Sequence, residues 1–398
     1  MARTKGGCGC AVAVLAVILG AVGFVGYKFG LPWLKRRDTP PPSGKELQLH
    51  VLDVGQGDSI LIISPEGKVA LIDAGDAKGG KAVVDALNRY GVKQVDYFIA
   101  THSHPDHIGG APAVFGAVKV VTVLHNDFPP PGVEEQSSQP ADPKKQPGKN
   151  QQAAAGKGRG ARPAGKSVEL PTVKAYNDFK GGAEQAGAEF KRAEPDQKYD
   201  LGGGVILTVL GPTQPLFTRE QLISSRGGNE QNANSIILRL DYGDFSMLLP
   251  GDAEEVSEGR LVAKDVNLGA AVLKVAHHGS KYATSEEFLK RVQPKAAIIS
   301  AGEFNRYGHP SQGVMERLKA AGVGNIYRTD LQGEITITTT GQLKDGKLYE
   351  IRAGKETKAD LWAGREAQKD DSSRSGFISY GDFGPPPRPP KEKAAKGR

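Results

Sequence analysis

Residues 101–110 read Thr101-His102-Ser103-His104-Pro105-Asp106-His107-Ile108-Gly109-Gly110, directly after an apolar run at 95–100 with the composition of a buried β-strand. In an extended segment alternate residues point the same way, so His102 and His104 can converge on one cation. Asp106 and His107, beyond the turn at Pro105, would face a neighbouring position. The alternative is a polar loop that is rich in histidine by chance. The spacing predicts a divalent-metal site, with two ions as the expected number.

Two later strands end in residues of the same ligand types. The run 246–249 leads to Pro250-Gly251-Asp252, and the run 271–276 leads to His277-His278-Gly279-Ser280. Taken alone, Asp252 suits a turn or a helix cap, and a lone histidine pair is ambiguous. Because each set follows a strand, as residues 102–107 do, we expect them to meet at one site with Asp252 bridging two cations.

From Glu46 onward, short β-branched runs alternate with helical patterns at 81–90, 285–292 and 312–321. This alternation predicts an α/β fold, and the closely spaced early runs indicate hairpins within mixed sheets. The predicted strands are 47–54, 59–63, 69–72, 95–100, 119–124, 205–210, 235–240, 245–249, 271–276, 296–300 and 334–340.

Composition narrows the class of protein. Hydrophobic residues make up 38% of the 398 residues, diluted by 52 Gly and 26 Pro, which excludes a polytopic membrane protein and a coiled coil. Cys8 and Cys10 are the only cysteines, which excludes a disulfide framework and a cysteine-based zinc site. The formal net charge is +7 at pH 7, so the distribution of basic residues matters more than their sum.

Further segments complete a family pattern. They are Leu71-Ile72-Asp73-Ala74-Gly75, Asp53-Val54-Gly55-Gln56-Gly57-Asp58-Ser59, Asn232-Ala233-Asn234-Ser235 and Asn305-Arg306-Tyr307-Gly308-His309-Pro310. With the 102–110 motif and His277-His278-Gly279-Ser280, the sequence resembles the metallo-β-lactamase-fold hydrolases. More narrowly, it resembles the C-terminal hydrolase domain of ComEC-type competence (DNA-uptake) proteins. The likeness covers roughly 46–341 and includes neither their multi-pass channel nor the segment 128–166.

The resemblance implies a four-layer αβ/βα sandwich with a two-metal centre at the top. It implies His102 and His104 on the first ion, and Asp106, His107 and His278 on the second, with Asp252 bridging. It also implies that Asp73, Asn232 and Asn234 orient the ligands from the surrounding layer.

One departure from the fold's usual pattern bears on the metal. Many members place a third histidine shortly before the bridging-aspartate strand, where this chain has Asn232-Ala233-Asn234. The first site therefore has fewer nitrogen ligands and more oxygen, which weakens the case for tight zinc binding there and makes manganese the alternative to zinc, the ion expected for the pair.

Two such ions would make hydroxide available at neutral pH and would polarise a phosphoryl or carbonyl oxygen. Asp106 is then both a ligand and a catalytic residue. His277 or His309 is the candidate proton donor, although His309 equally suits a structural position in a loop beside Pro310.

The predicted partner is an anionic substrate, either DNA or another phosphodiester. Hydroxyls, a cation and free N–H groups at a helix start suit a phosphate, whereas a plain helix cap is the alternative for Ser285. No aromatic-interleaved nucleic-acid platform is visible, and no obligate protein partner is evident. The candidate substrate contacts are Ser280, Lys281, Thr284, Asn305 and Arg306.

An N-terminal segment predicts a membrane anchor at 11–34, between a tail at 1–10 and a Pro-rich linker at 35–45. Residues 11–27 carry no charge and as a helix would be roughly 26 Å long, enough for a short span. A cleaved signal peptide is the alternative.

Two further segments are predicted to be disordered. Residues 128–166 are rich in Pro, Gly and Lys/Arg, and residues 354–398 are polar and end in a proline-rich, lysine-rich tip. The predicted folded domain is therefore 46–353.

The orientation of the anchor has conflicting signals. Basic residues after the apolar run favour a cytoplasmic C-terminal side. The Pro-rich spacer and the cysteine-free domain instead suit an oxidising space outside the cytoplasm. We expect a single-pass membrane protein with a cytoplasmic tail at 1–10 and an extracytoplasmic catalytic domain.

Together these features predict a membrane-anchored, dinuclear metal-dependent hydrolase of phosphodiesters that acts as a phosphodiesterase or nuclease. A second hypothesis is an ester, lactone or lactam hydrolase, since the same fold hosts all of them. A third is a non-catalytic module whose metal only stabilises the fold, and the intact ligand set argues against it.

Overall fold

The computed structural model describes residues 45–133, 170–223 and 228–367. Their strands form two sheets, which contain eight and seven strands. The strands are β1 Leu47–Val51, β2 Ile60–Ile63, β3 Val69–Ile72, β4 Gln94–Ile99, β5 Lys119–His125, β6 Glu189–Arg192, β7 Lys198–Asp200, β8 Val205–Gly211, β9 Ile237–Tyr242, β10 Phe245–Leu249, β11 Val272–Lys274, β12 Ala296–Ile299, β13 Asn325–Arg328, β14 Ile335–Thr339 and β15 Glu350–Ala353.

Both sheets are mixed, as the early hairpins predict. The first has the order β15-β14-β1-β2-β3-β4-β5-β6, antiparallel up to β3 and parallel from β3 to β6. The second has the order β13-β12-β11-β10-β9-β8-β7, parallel from β13 to β10 and antiparallel beyond.

The helices cover the outer faces of these sheets. They are α1 Gly80–Arg89, α2 Pro105–Ile108, α3 Ala111–Ala117, α4 Pro171–Gln185, α5 Arg219–Leu222, α6 Glu230–Ala233, α7 Glu255–Ala263, α8 Glu286–Val292, α9 Gln312–Ala320 and α10 Thr329–Gln332, with a 3-10 turn at Ala276–Gly279. Helices α1, α3 and α4 pack on the first sheet, and α7, α8 and α9 pack on the second.

A third apolar core lies between the sheets, where Leu49 and Ile337 of the first meet Leu207, Leu240 and Met247 of the second. All five side chains are fully buried, and each such burial contributes about 1.5–3 kcal/mol. Alternation along β1 sends Leu47, Leu49 and Val51 into this core. The predicted four-layer αβ/βα sandwich is therefore confirmed.

The parallel strands bring the chemistry to one edge. The carboxyl ends of β3, β4, β10, β11 and β12 lead directly into Asp73, residues 101–107, Asp252, His277-His278 and Ser300. In α/β sheets this is the edge where ligands bind.

The predicted domain end at 353 is wrong, because the chain stays packed through Ala367. Leu361 and Trp362 pack against the outer core of the second sheet. The Arg365 guanidinium lies 2.7 Å from the buried Asp330 carboxylate, and the Arg365 N–H donates to the Pro310 carbonyl at 2.7 Å. A polar segment is thus held by an ion pair and backbone hydrogen bonds, which its composition does not reveal.

The predicted start of the insertion, residue 128, lies several residues before the end of the described segment at 133. Residues 128–133 are placed against the domain, where the Gln231 amide donates to the Pro129 carbonyl at 3.2 Å. The rest of the predicted insertion and the end of the tail, 368–398, lie outside the described residues.

Within 45–133, 170–223 and 228–367, no helix is both long and apolar enough to cross a membrane. The predicted anchor at 11–34 lies outside these ranges and stays a prediction.

Candidate metal centre

The 102–107 motif turns from strand into helix at Pro105. His102 and His104 follow β4, while Asp106 and His107 lie on the single turn α2, which begins at Pro105. Gly110 lets this turn pack against the loop after β3, since a Cβ there would lie 2.1 Å from the Ala74 carbonyl oxygen. Close backbone packing thus explains why the motif ends in two glycines.

Asp252 lies at the centre of the gathered side chains. Its Oδ2 is 3.2 Å from His107 Nε2, 3.4 Å from His278 Nε2 and 3.9 Å from His102 Nε2. His278 Nε2 is also 3.4 Å from Asp106 Oδ2. The structure therefore brings together residues from three separate segments, with Asp252 in the position that suits a bridge.

His102 and His104 form the other side of the site. His102 Nε2 lies 2.9 Å from His104 Nδ1, and His104 Nε2 lies 3.5 Å from the amide nitrogen of Asn229. Burial and the neighbouring histidines lower the pKa of His102 well below its usual value. Burial also lowers the pKa of His104 to about 4. Both rings are therefore neutral at pH 7, the form in which imidazole binds metals.

The sequence reasoning missed one candidate ligand, Asp58. Its carboxylate belongs with Asp252 and His278 to a group whose ligand atoms all lie within 4.8 Å of one another. The other groups at this spacing are His102 with His107 and Asp252, Asp106 with His107 and His278, and Asp58 with Asp73 and His107. Asp58 lies in the segment 53–59 that carries the competence-type likeness, and that position was the available signal.

Buried polar atoms at this spot test whether divalent cations fit. Among the described residues, His107 Nε2, His278 Nε2, Asp252 Oδ1 and Asp58 Oδ1 are buried without a hydrogen-bond partner. A buried polar group left unsatisfied costs about 1–3 kcal/mol, and more when charged. Imidazole nitrogens and carboxylate oxygens are the ligands of zinc and manganese, so these residues fit such ions.

Hydrogen bonds behind the rings fix which nitrogen faces the site. Asp73 Oδ2 accepts from His107 Nδ1 at 2.7 Å and from the Thr101 hydroxyl at 2.7 Å. The Ser300 carbonyl accepts from His278 Nδ1 at 2.9 Å. With Nδ1 donating in both rings, Nε2 is the atom turned towards Asp252, as in metal sites with a supporting carboxylate or carbonyl.

The carboxylates of Asp58, Asp106 and Asp252 remain ionised despite their burial. Burial opposes ionisation of Asp58, but Lys274 and His278 outweigh it and lower its pKa to about 2. Lys274 Nζ lies 2.8 Å from Asp58 Oδ2, and both side chains are buried. For Asp106 and Asp252 burial is again outweighed, chiefly by His107, so the pKa of each falls below its usual value.

The same interactions raise the pKa of His107 and His278 well above the usual value. Burial opposes this, but for both rings Asp252 is the strongest of the neighbouring carboxylates that outweigh it. A metal ion must therefore displace protons from these rings, which makes its affinity dependent on pH.

The structure places the two predicted asparagines differently. Asn232 Nδ2 donates to Glu254 Oε1 at 3.1 Å and lies 3.4 Å from both ring nitrogens of His277. The Asn234 side chain instead bonds the backbone N–H and C=O of Phe217, each at 2.8 Å. The Asn234 amide therefore holds a loop through both of its polar atoms, and its predicted orienting role stays a prediction.

The candidate proton donors lie at the more open side of the site. The His277 side chain is 20% exposed, and its Nδ1 is 3.5 Å from Glu254 Oε1. Burial raises the pKa of Glu254 to about 8. His309 packs 5.4 Å from His277 between ring centroids, and burial with His277 and His278 lowers its pKa to about 3.

The predicted phosphate contacts at the start of α8 are corrected. Ser280 and Thr284 are buried, and the Thr284 hydroxyl accepts from the Ala276 N–H at 3.3 Å. The Glu258 carboxylate already accepts from the N–H groups of Thr284 and Ser285, at 2.5 and 2.8 Å. A buried side chain of the protein itself thus occupies the anion position.

Of the remaining candidates, Lys281 and Arg306 are exposed and Asn305 is buried. Asn305 Nδ2 donates to the carbonyls of Gly302 and His309, and its Oδ1 accepts from the His309 N–H. Asn305 therefore shapes its loop from within. Ser285 accepts from the Phe288 N–H at 3.3 Å, as a plain helix cap does.

The chain is similar in sequence to a known family and to several known proteins. Residues 52–205 match the model of the metallo-beta-lactamase superfamily. ComE operon protein 3 of Bacillus subtilis is 32% identical over 313 residues, covering 74% of this chain and 33% of that protein. Competence protein ComA of Neisseria gonorrhoeae is 28% identical and covers 73% of this chain and 32% of that protein.

Recombination protein 2 of Haemophilus influenzae is 29% identical, covering 68% of this chain and 26% of that protein. The chain thus spans a third or less of the length of these relatives. Residues 52–205 therefore carry the match to the metallo-β-lactamase superfamily, and competence-type proteins are among the relatives of this chain.

Proposed function

We propose that this chain is a dinuclear, metal-dependent phosphodiesterase. The observation that carries the proposal is that His107, His278, Asp252 and Asp58 each keep a buried polar atom without a hydrogen-bond partner, and that their ligand atoms fall in overlapping groups within 4.8 Å. The site is also partly open, since the side chains of Asp106 and His277 are 28% and 20% exposed. Structural metal sites are closed, whereas catalytic sites keep a position for substrate, which favours an enzyme over a metal-stabilised module.

We assign the candidate ligands to two ions. His102 and His104 would hold the first ion, Asp106, His107 and His278 the second, with Asp252 between them. Bound divalent ions would supply Lewis-acid polarisation of a phosphoryl oxygen and lower the pKa of water. Zinc is the expected ion, and the carboxylates of Asp58, Asp106 and Asp252 keep manganese as the alternative.

The protein's own groups position these ligands and handle protons. Asp73 holds the His107 ring and the Ser300 carbonyl holds the His278 ring, so that each Nε2 faces the site. His277 is the proposed proton donor to the leaving oxygen, because its ring lies at the open side between Asn232 and Glu254.

The substrate class rests on the rim of the site and on the relatives. Lys281 and Arg306 are exposed cations close in sequence to His278 and His309, and they suit a phosphodiester anion. The matched proteins carry competence and recombination in their names, which supports DNA as the substrate.

The test uses the full chain in detergent. Its metal content is measured, and it is assayed on bis-p-nitrophenyl phosphate, single-stranded DNA and a chromogenic lactam. We expect bound divalent metal and hydrolysis of both phosphodiesters but not of the lactam. His107→Ala removes one of the gathered ligands and is expected to lower metal content and turnover together. His125→Ala, a half-buried histidine outside the ligand groups, is the control.

The other possible outcomes would each favour a different hypothesis. Turnover unaffected by His107→Ala would reject this site. Lactam turnover would favour the ester, lactone or lactam hydrolase. Bound metal without turnover on any substrate would favour the non-catalytic module.

We further propose that residues 11–34 anchor the chain in a membrane with the domain outside the cytoplasm. The uncharged run 11–27 and the Pro-rich spacer support this placement. Protease treatment of undisrupted cells should remove the domain, and a fully protected domain would reverse the orientation.

A further inference from the structure

A loop at the rim of the site presents aromatic side chains to solvent. This aromatic loop, residues 303–309, follows β12 and ends at His309. Phe304 is 85% exposed and Tyr307 is 48% exposed, among the most exposed large apolar side chains of the described residues. Single exposed apolar side chains are common on protein surfaces, so a binding role for these two depends on the groups beside them.

The rings of the aromatic loop lead towards the metal ligands. Tyr307 stacks on His309 with centroids 5.7 Å apart and planes at 26°, and His309 stacks on His278 at 6.3 Å and 27°. A planar group placed on the outer face of Tyr307 would continue this row of rings. Since His309 and His278 continue the row inward, a strand lying along it would run from the aromatic loop towards the gathered imidazoles.

A cation accompanies these rings. The Arg306 guanidinium carbon lies 5.3 Å from the Tyr307 ring centroid, and its Nη2 donates to the Tyr307 hydroxyl at 3.4 Å. An aromatic face beside an arginine is the chemistry that binds a nucleobase and its phosphate together. This pairing favours a nucleic-acid strand over an apolar protein surface or a lipid.

The aromatic loop is held in place from beneath. The Arg365 N–H donates to the Pro310 carbonyl at 2.7 Å, and the Arg365 guanidinium bonds the Glu303 carbonyl. Gly308 has φ +71°, and a Cβ there would lie 2.3 Å from the Ala367 nitrogen. Since Asn305 also ties the loop across its interior, little ordering would be needed on binding, which increases affinity.

We propose that Phe304 and Tyr307 stack on bases of a single-stranded nucleic acid and so position the adjoining phosphodiester at the metal centre. The proposal rests on the proposed function for the identity of the reacting bond. It adds the residues that recognise the strand, and it gives the aromatic platform that the sequence did not reveal.

The test compares two strands of equal length and charge. One is a fluorescent single-stranded oligonucleotide, and the other is the same deoxyribose-phosphate chain without bases. Binding to the full-length protein is measured by anisotropy with and without chelator. We expect the wild-type protein to prefer the strand with bases by about 10–100-fold, because each stacked base contributes about tenfold. The Phe304→Ala/Tyr307→Ala double variant should bring this ratio close to one.

Two variants separate stacking from other effects. Phe304→Leu keeps apolar area but removes the aromatic face, and it should lower the ratio towards that of the double variant. Leu343→Ala removes an apolar side chain that is 67% exposed beyond the far end of β14, and it should leave the ratio unchanged. Quenching of 2-aminopurine in the strand should weaken in the double variant but not in Leu343→Ala.

The outcomes are distinguishable from those of the proposed function. An unchanged ratio in the double variant would overturn the aromatic platform even if bis-p-nitrophenyl phosphate is hydrolysed. A collapsed ratio would support the platform even in a protein without turnover. Binding to phosphatidylglycerol vesicles that is lost in the double variant, with an unchanged ratio, would assign the aromatic loop to a lipid surface and overturn the proposal.

Discussion

The floor and the rim of the candidate metal centre are built in opposite ways. On the floor, the side chains of His102, His107, His278 and Asp252 expose 2% of their surface or less, and buried partners fix their rings. On the rim, Lys281, Phe304 and Arg306 are exposed. Removing one partner of a buried ion pair lowers the free energy of unfolding by several kcal/mol, whereas substituting an exposed rim residue changes it little. Metal binding and substrate recognition should therefore separate under mutation.

The largest effect is expected at the Lys274–Asp58 ion pair beneath the ligands. Lys274→Met keeps the volume but removes the ammonium group from the buried Asp58 carboxylate and leaves His278 as its remaining cationic neighbour. Breaking a buried pair in this way costs about 3–5 kcal/mol. Urea unfolding of the metal-free protein should show a loss of this size.

The exposed pair Lys81–Asp85 on α1 provides the control. Its side chains are 81% and 59% exposed, so Lys81→Met should change the free energy of unfolding far less than Lys274→Met. Equal losses in the two variants would contradict the view that the floor depends on buried charge.

A second effect links stability to pH through Glu258. Burial raises the pKa of this carboxyl group from 4.5 to about 7, so the folded protein holds a proton that the unfolded chain releases. Its contribution is present below pH 4.5 and is lost as pH rises through 7, up to about 3 kcal/mol. Denaturant unfolding from pH 5 to pH 8 should therefore show a steeper loss of stability in the wild-type protein than in Glu258→Gln.

Glu255→Gln, an exposed neighbour on the same helix, should follow the wild-type curve. Curves for Glu258→Gln and the wild-type protein that run parallel over this range would show that Glu258 does not titrate there.

The contrast between floor and rim also explains what the sequence could reveal. The ligands after β4, β10 and β11 were predictable, because an apolar strand followed by histidine or aspartate is a local pattern. The role of Asp58 was not, since it depends on Lys274, 216 positions away. The contact of Glu258 with the start of α8 was not predictable either. The local sequence of a helix start is the same whether or not a buried carboxylate from another helix accepts its N–H groups.

Helix α4 shows a different limit. Its 15 residues contain Gly181-Gly182 and only four buried side chains, so their apolar periodicity is weak. Phe179 nevertheless packs on Phe98 and Phe115, with centroids 6.1 and 5.9 Å away. Tertiary packing rather than local propensity stabilises this helix.

A third, smaller effect is expected where the floor meets its supporting residues. In Asp73→Asn, an amide N–H2 can face His107 Nδ1 in place of a carboxylate, which disfavours the tautomer with Nε2 free for a metal. We expect metal affinity to fall about 10–100-fold, measured by competition with a chromogenic chelator.

Asp96→Asn is the matched control, because Asp96 also accepts a backbone N–H, from Val69, but lies near the start of β4 at the opposite end of the strand. Unchanged metal affinity in Asp73→Asn would mean that Asp73 supports the fold without orienting the ligand.

The smallest effect is expected on the rim, at Lys281. Its Nζ lies 4.9 Å from the Tyr282 ring centroid, and the side chain is exposed. If Lys281 contacts one phosphate of a bound strand, Lys281→Ala should weaken binding a few-fold at low salt. It should also reduce the slope of log affinity against log salt by about 0.7–1, without changing stability or metal content. Lys290→Ala, on the exposed face of α8 and 70% exposed, should leave the slope unchanged. An equal slope of log affinity against log salt in both variants would show that Lys281 does not contact a phosphate of the bound strand. Recognition of the strand would then depend on the aromatic loop.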